Sequence, residues 1–179
     1  MAAEEWEIDA ARSNVGFTVR HMVISKVRGR FTRWRGTLAL DWTELSASKV
    51  AVTIDVASID TRDGPRDGYL RSADFFDVEK HPAIAFRSTR IEEVDAKKYR
   101  VRGDLTIRGV QGEVVLDAVL GGQGKAAAGA SPAHFRATTQ IDRKDFGLQW
   151  GAALETGGFL VGDIVDVAVE VEAKKVGGR

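Results

Sequence analysis

From Tyr99 to Arg108 the chain reads Tyr-Arg-Val-Arg-Gly-Asp-Leu-Thr-Ile-Arg, so that an apolar or small residue alternates with a polar one at every step. Side chains on an extended strand point to opposite faces in turn, and this rhythm places one row inward and the charged row outward. The same period of two recurs at Val50/Val52/Ile54/Val56, Val114/Leu116/Ala118/Leu120, Phe135/Ala137/Thr139/Ile141 and Val165/Val167/Val169/Val171. It predicts strands over about Trp6–Asp9, Val15–His21, Val27–Asp41, Lys49–Ala57, Ala83–Ile91, Tyr99–Ile107, Glu113–Leu120, His134–Ile141 and Ile164–Ala173. Asp95-Ala96-Lys97, Arg108 to Gly112 and the glycine- and alanine-rich stretch Gly121–Pro132 supply the turns between them. The exception is Asp60–Pro82, where Asp63-Gly64-Pro65 and Asp67-Gly68 interrupt the alternation and Tyr69 to Phe76 follows; this piece reads as a short helix capping one end of the sheet.

One segment tests whether the strands enclose a space. Strict alternation through Val27–Leu40 would turn Phe31 inward but leave Trp34, Leu38 and Leu40 facing water. A β-bulge near Thr32 repairs this, sending Phe31, Trp34, Gly36, Leu38 and Leu40 inward and Arg28, Arg30, Arg33 and Arg35 outward, and it adds the bend that closure requires. An antiparallel barrel and an open sandwich both satisfy the pattern, because each buries one face of every strand.

The length of 179 residues suits one all-β domain, 1–179, with its core over about 6–174. Lys plus Arg and Asp plus Glu both number 26, so no global field draws the chain to nucleic acid or to an anionic membrane. The arginines at 28, 30, 33 and 35 fall on the face opposite Phe31 and Trp34, whereas a stacking platform for nucleic acid needs cations and aromatics together. Nothing approaches the roughly 20 apolar residues of a membrane span, and Met1 to Glu7 is acidic where a signal peptide is basic and then apolar; a cytoplasmic protein without stable membrane insertion is the expectation.

Chemistry is sparse. The absence of cysteine removes thiol nucleophiles and thiolate metal sites. His21, His81 and His134 lie far apart with no metal-ligand spacing, and His21, ending an inward-facing strand, is the one of interest. Gly121 to Ala126 lacks the leading glycine and the Ser/Thr of a phosphate loop, and Asp60, Asp63 and Asp67 miss the calcium-loop pattern, reading instead as turn and helix-cap residues. No catalytic residues, metal or cofactor are therefore assigned. Asp142 to Trp150 mixes charges of both signs with two aromatics and reads as a structural corner or a pocket mouth.

Six blocks in order carry a resemblance to a known family: Ser13–His21, Lys26–Phe31, Val56–Thr61, Leu70–Asp77 with His81-Pro82, Gly103–Val110, and Asp142–Leu148 followed by Leu154–Gly158. Together they resemble the YceI-like family of lipocalin-like, polyisoprenoid-binding proteins over roughly residues 6–174. The resemblance implies an elongated eight-stranded antiparallel lipocalin-like β-barrel with a short helix near one end. It implies too a non-enzymatic protein that carries or sequesters a long-chain isoprenoid, with a diphosphate or quinone head, or a fatty-acyl lipid. An apolar lining of Phe17, Val19, Phe31, Val52, Ile54, Phe86, Val101, Leu105 and Leu116 suits such a tail, with Leu70, Phe75 and Phe76 as a lid. An anionic head would call on Arg20, His21, Arg71 and Arg143, unless Arg71 pairs with Asp74 or Asp77, and Arg143 with Asp145, as structural salt bridges. Two alternatives remain at this level: an enzyme using the same pocket with His21 or a carboxylate as acid/base, and a packed-core β protein acting through its surface as a homodimer.

Overall fold

The computed structural model describes residues 4–21, 25–121, 133–148 and 164–176, with no side-chain description at 20, 21, 25 and 26. The described strands are β1 (Glu4–Ile8), β2 (Asn14–His21), β3 (Ser25–Phe31), β4 (Trp34–Leu40), β5 (Lys49–Asp55), β6 (Ile59–Asp60), β7 (Ala83–Asp95), β8 (Lys98–Ile107), β9 (Val110–Leu120), β10 (Ala133–Asp142) and β11 (Ile164–Lys175); the helix α1 spans Gly64–Arg71. Every pairing is antiparallel, and the order β1-β4-β5-β7-β8-β9-β10-β11 returns to β1, which closes a ring of eight strands. Closure excludes the sandwich: no edge is left along that ring.

The three remaining strands extend members of the ring. β1 and β2 run one after the other along β11, with Ile8 opposite Ala173 and Asn14 opposite Glu170. β3 continues into β4, and β5 into β6, and β2–β3–β6 pair with each other as β1–β4–β5 do. Three neighbouring strands are thus broken at one level, by a 3-10 turn at Ala10–Arg12, by Thr32-Arg33, and by a 3-10 turn at Val56–Ser58. The break at Thr32 sits where the bulge is predicted, and Phe31, Trp34, Gly36, Leu38 and Leu40 are buried while Arg33 and Arg35 are exposed. Its loose backbone groups find partners across the same level: Thr32 N–H donates to the Ser58 carbonyl at 3.2 Å and Asp55 N–H to the Arg33 carbonyl at 3.0 Å. At the first break Asp9 accepts from Lys174 Nζ at 3.1 Å, and that contact is the main reason its carboxyl is held below the ordinary value of 3.8.

Beyond this level β6 pairs with β3, and the helical segment meets it on its other side. α1 begins at Gly64-Pro65, earlier than the Tyr69–Phe76 run suggests. Asp63 caps it by accepting from Arg66 N–H at 3.0 Å, and Pro65 in the first turn has no amide hydrogen to satisfy. Asp-Gly-Pro is a helix-start signal as much as a turn signal. Phe75 and Phe76 lie past the helix in a turn, buried, with ring centroids 4.9 Å apart. Between β8 and β9 the turn is only Arg108-Gly109, both at positive φ (52° and 74°), so β9 starts three residues before the predicted Glu113.

Candidate functional site: an apolar interior in two lobes

The nine residues expected as lining and the three expected as a lid all border the interior cavities, but several are only half-buried. Phe17, Val52, Ile54, Phe86, Val101, Leu105 and Leu116 belong to this group. Apolar side chains that point inward and still carry free surface border a void, and two voids account for it. A helix-side lobe of about 160 Å³ is bounded by Phe17, Val19, Phe31, Leu70, Phe75 and Phe76 among others. A far lobe of about 210 Å³ is bounded by Val52, Phe86, Val101 and Leu116, with Trp34 and Leu38. Val15, Ile54, Leu105, Ile141 and Val167 line both, so the lobes adjoin at a waist of five aliphatic side chains.

The far end is stopped by aromatics. Phe135 lines the far lobe, Trp42 stacks on it at 6.4 Å, and fully buried Trp6 meets Trp42 edge-on at 5.5 Å. At the other end Leu70, Phe75 and Phe76 cover the helix-side lobe, with Phe76 edge-on to Phe31 at 6.4 Å. Hardly any polar surface faces either void.

The four expected headgroup residues do not converge on one point that can be described. Arg20 and His21 end β2, and their side chains lie outside the described residues. Arg71 is not in the cavity wall: its Nε and NH2 donate to the carbonyls of Ala57 and Ile59 at 2.9 and 3.0 Å, tying α1 to the kinked β5–β6 junction, and not to Asp74 or Asp77. Arg143 is in the wall of the helix-side lobe and buried, and it donates to the Leu148 carbonyl. The sequence reading missed a second wall arginine, Arg66, whose Nε and NH2 donate to Thr61 Oγ1 and the Thr61 carbonyl, each at 2.9 Å. Thr61 Oγ1 donates in turn to the buried Asp67 carboxylate, which also accepts from Thr61 N–H at 3.0 Å. Arg66 was hidden in a stretch whose Gly and Pro read as a turn; its signal is the Asp63 cap, which makes the stretch a helix and turns Arg66 toward the barrel.

Both wall arginines donate to protein oxygens, so what they contribute to the void is chiefly aliphatic stem. Asp67→Ala would leave the buried amide and hydroxyl of Thr61 without their acceptor. The expected cost is about 1–3 kcal/mol, measured as a lower urea midpoint at an unchanged slope.

Asp60 and Asp63 serve the turn and the helix start, accepting from Arg62 N–H at 2.9 Å and Arg66 N–H at 3.0 Å. Among the described residues no three acidic or histidine side chains gather as metal ligands, and no helix is long and apolar enough to cross a membrane.

The family model described as "YceI-like domain" matches residues 6–173. A UPF0312 protein of Vibrio cholerae is 35% identical over 149 residues, covering 82% of this chain and 79% of that one. Among solved structures, Burkholderia cenocepacia BcnA superimposes with a TM-score of 0.81 at 25% identity, covering 94% of this chain and 99% of BcnA. A domain from Saccharophagus degradans, described as polyisoprenoid binding and implicated in plant cell wall breakdown, gives a TM-score of 0.72 at 15% identity, covering 95% and 98% of the two chains.

Proposed function

Because the chain belongs to the YceI-like domain family, we propose that its barrel binds the hydrocarbon tail of a single-chain lipid, of polyisoprenoid or fatty-acyl type, and carries or sequesters it without chemical change. The observation that carries this reading is the pair of adjacent lobes, sharing five wall residues, with hardly any polar surface. Such a lining offers a sugar or a peptide no hydrogen-bond partner and would strand their polar groups. A tail needs no directional contact, and each methylene moved from water to the lining contributes about 0.8 kcal/mol. Each lobe is about the size of an engineered cavity of about 150 Å³ that takes one benzene. The bore therefore suits a slim chain threaded through the waist better than a fused ring system. The polyisoprenoid-binding description of the Saccharophagus domain, which shares the fold, supports the same ligand class.

The head belongs at the helix side, since Trp6 and Trp42 stop the far end. There Val19, next to Arg20 and His21 at the end of β2, and Arg143 line the lobe. An anionic or quinone head would sit outside the apolar lining. A non-enzymatic role is part of the same reading, and the almost wholly apolar walls among the described residues support it.

Native mass spectrometry of protein purified without detergent tests this, paired with organic extraction of the denatured sample. The expected result is a mass excess that vanishes on denaturation and an extract holding one long-chain lipid. A bare protein mass, together with no uptake of added geranylgeraniol, would reject the reading.

A further inference from the structure

At two positions the inner wall carries no side chain, and an aromatic ring stands where a Cβ would be. A Cβ on Gly29 would lie 2.3 Å from Phe17 Cζ, and one on Gly103 would lie 2.5 Å from Phe86 Cζ. Neither glycine is at positive φ, so backbone conformation does not demand glycine there; the approach of the ring does. Phe17 and Gly29 are direct partners in the β2–β3 ladder, and Gly29 shares its face with Val27 and Phe31, which line the helix-side lobe. The Phe17 ring is thus laid across the neighbouring strand, in a niche that exists because Gly29 has no side chain.

We infer that Gly29 sets the bore of the helix-side lobe, and with it the access of a tail, by holding the Phe17 ring against the barrel wall. The inference rests on the proposed tail-binding reading and extends it to the residue that keeps the lobe open. A ring denied this niche has one direction to go. Val15 and Val19 flank it on its own strand, Phe31 stands 5.6 Å away on the next, and the void lies in front. The lobe holds about 160 Å³, close to the cavity of about 150 Å³ that one benzene occupies, so a phenyl group turned inward uses up the space.

The two glycines differ in what surrounds them. All three atoms nearest a Cβ on Gly29 belong to the Phe17 ring, which can swing. A Cβ on Gly103 would also meet the Arg87 carbonyl oxygen at 2.6 Å, and that backbone cannot. Gly103→Ala would strain the sheet itself. Gly29→Ala isolates the effect of the ring.

The test uses the full chain freed of lipid and two probes, benzene and geranylgeraniol. Benzene reports volume whatever the natural ligand is. Methyl shifts of Val19, Val27 and Ile59 read the helix-side lobe alone, and those of Leu38 and Val101 read the far lobe as an internal control. Gly29→Ala is expected to weaken benzene binding at the helix-side lobe, and geranylgeraniol binding overall, by roughly tenfold or more, with the far-lobe shifts unchanged. Adding Phe17→Ala is expected to restore both. A folded Gly29→Ala protein that binds both probes like the parent overturns the inference, and so does a loss that Phe17→Ala does not rescue. Should Gly29→Ala fail to fold, Phe17→Ala alone decides: a larger lobe that binds benzene more tightly supports the inference, and unchanged binding overturns it. A parent protein that takes benzene at the helix-side lobe but refuses geranylgeraniol rejects the tail reading while the benzene arm still decides the role of Gly29. A parent that takes neither probe overturns both.

Discussion

Leu105→Trp is expected to weaken the binding of a geranylgeranyl-length tail by on the order of a hundredfold while sparing a ligand short enough for one lobe. Leu105 is one of five side chains shared by the two lobes, and it is half-buried, so it keeps free surface where the lobes adjoin. An indole there fills the waist and confines a tail to one side. Each methylene kept out forfeits about 0.8 kcal/mol, so the loss of about four amounts to roughly 3 kcal/mol, which is about a hundredfold. Part of the indole enters empty space, so overpacking should cost less than the usual 1–3 kcal/mol. Titration with prenyl alcohols of increasing length checks the expectation. Parent affinity should climb with length, and Leu105→Trp affinity should level off early. Equal affinities at every length would show that no tail crosses the waist.

Trp6→Ala is expected to lower the free energy of unfolding by about 3–5 kcal/mol, as large aromatic truncations in a core do. Trp6 is fully buried, its ring meets Trp42 edge-on at 5.5 Å, and Trp42 in turn stacks on Phe135. β1, which carries Trp6, is also the strand that closes the ring, pairing with β4 on one side and β11 on the other. Loosening it therefore reaches both closing ladders. For a domain whose whole stability is ordinarily about 5–15 kcal/mol, this is about a fifth of the margin or more. Urea unfolding followed by far-UV circular dichroism measures it, and a loss below about 1 kcal/mol would mean that the plug repacks around the gap. The indole nitrogens of Trp6 and Trp42 have no hydrogen-bond partner among the described residues. Trp6→Phe should consequently cost much less than Trp6→Ala, since it removes an unpaired donor along with some ring area.

The two expectations concern opposite properties of one interior. Trp6 lies where the barrel is solid, and Leu105 lies where it is not. A barrel of eight strands stands near the limit at which side chains alone can fill the inside. Here the balance is tipped by the wall residues: Gly29 and Gly103 hold rings flat, and Gly36 accommodates Ile8, whose Cδ1 would lie 2.5 Å from an added Cβ.

Much of this could be read along the chain because a β-strand encodes its two faces residue by residue. Alternation alone located the strands and sorted Val101 and Leu105 from Arg100 and Arg102. The mismatch between Phe31 and Trp34 was enough to place a break at Thr32, because a single extra residue is the least costly way to keep both aromatics dry. Periodicity has no term for closure, for the pairing of β1 with both β4 and β11, or for the level at which three strands break together, since each depends on residues far apart in sequence. The hollow itself belongs to the tertiary structure. A void is the difference between the space that backbones enclose and the volume of the side chains directed into it, and the second quantity turns on rotamers such as that of Phe17 across Gly29. The same holds for the arginines. Charge and position along the chain suggested Arg71 for an anion, but a guanidinium takes the nearest unmet acceptors, and only folding brought the carbonyls of Ala57 and Ile59 within its reach.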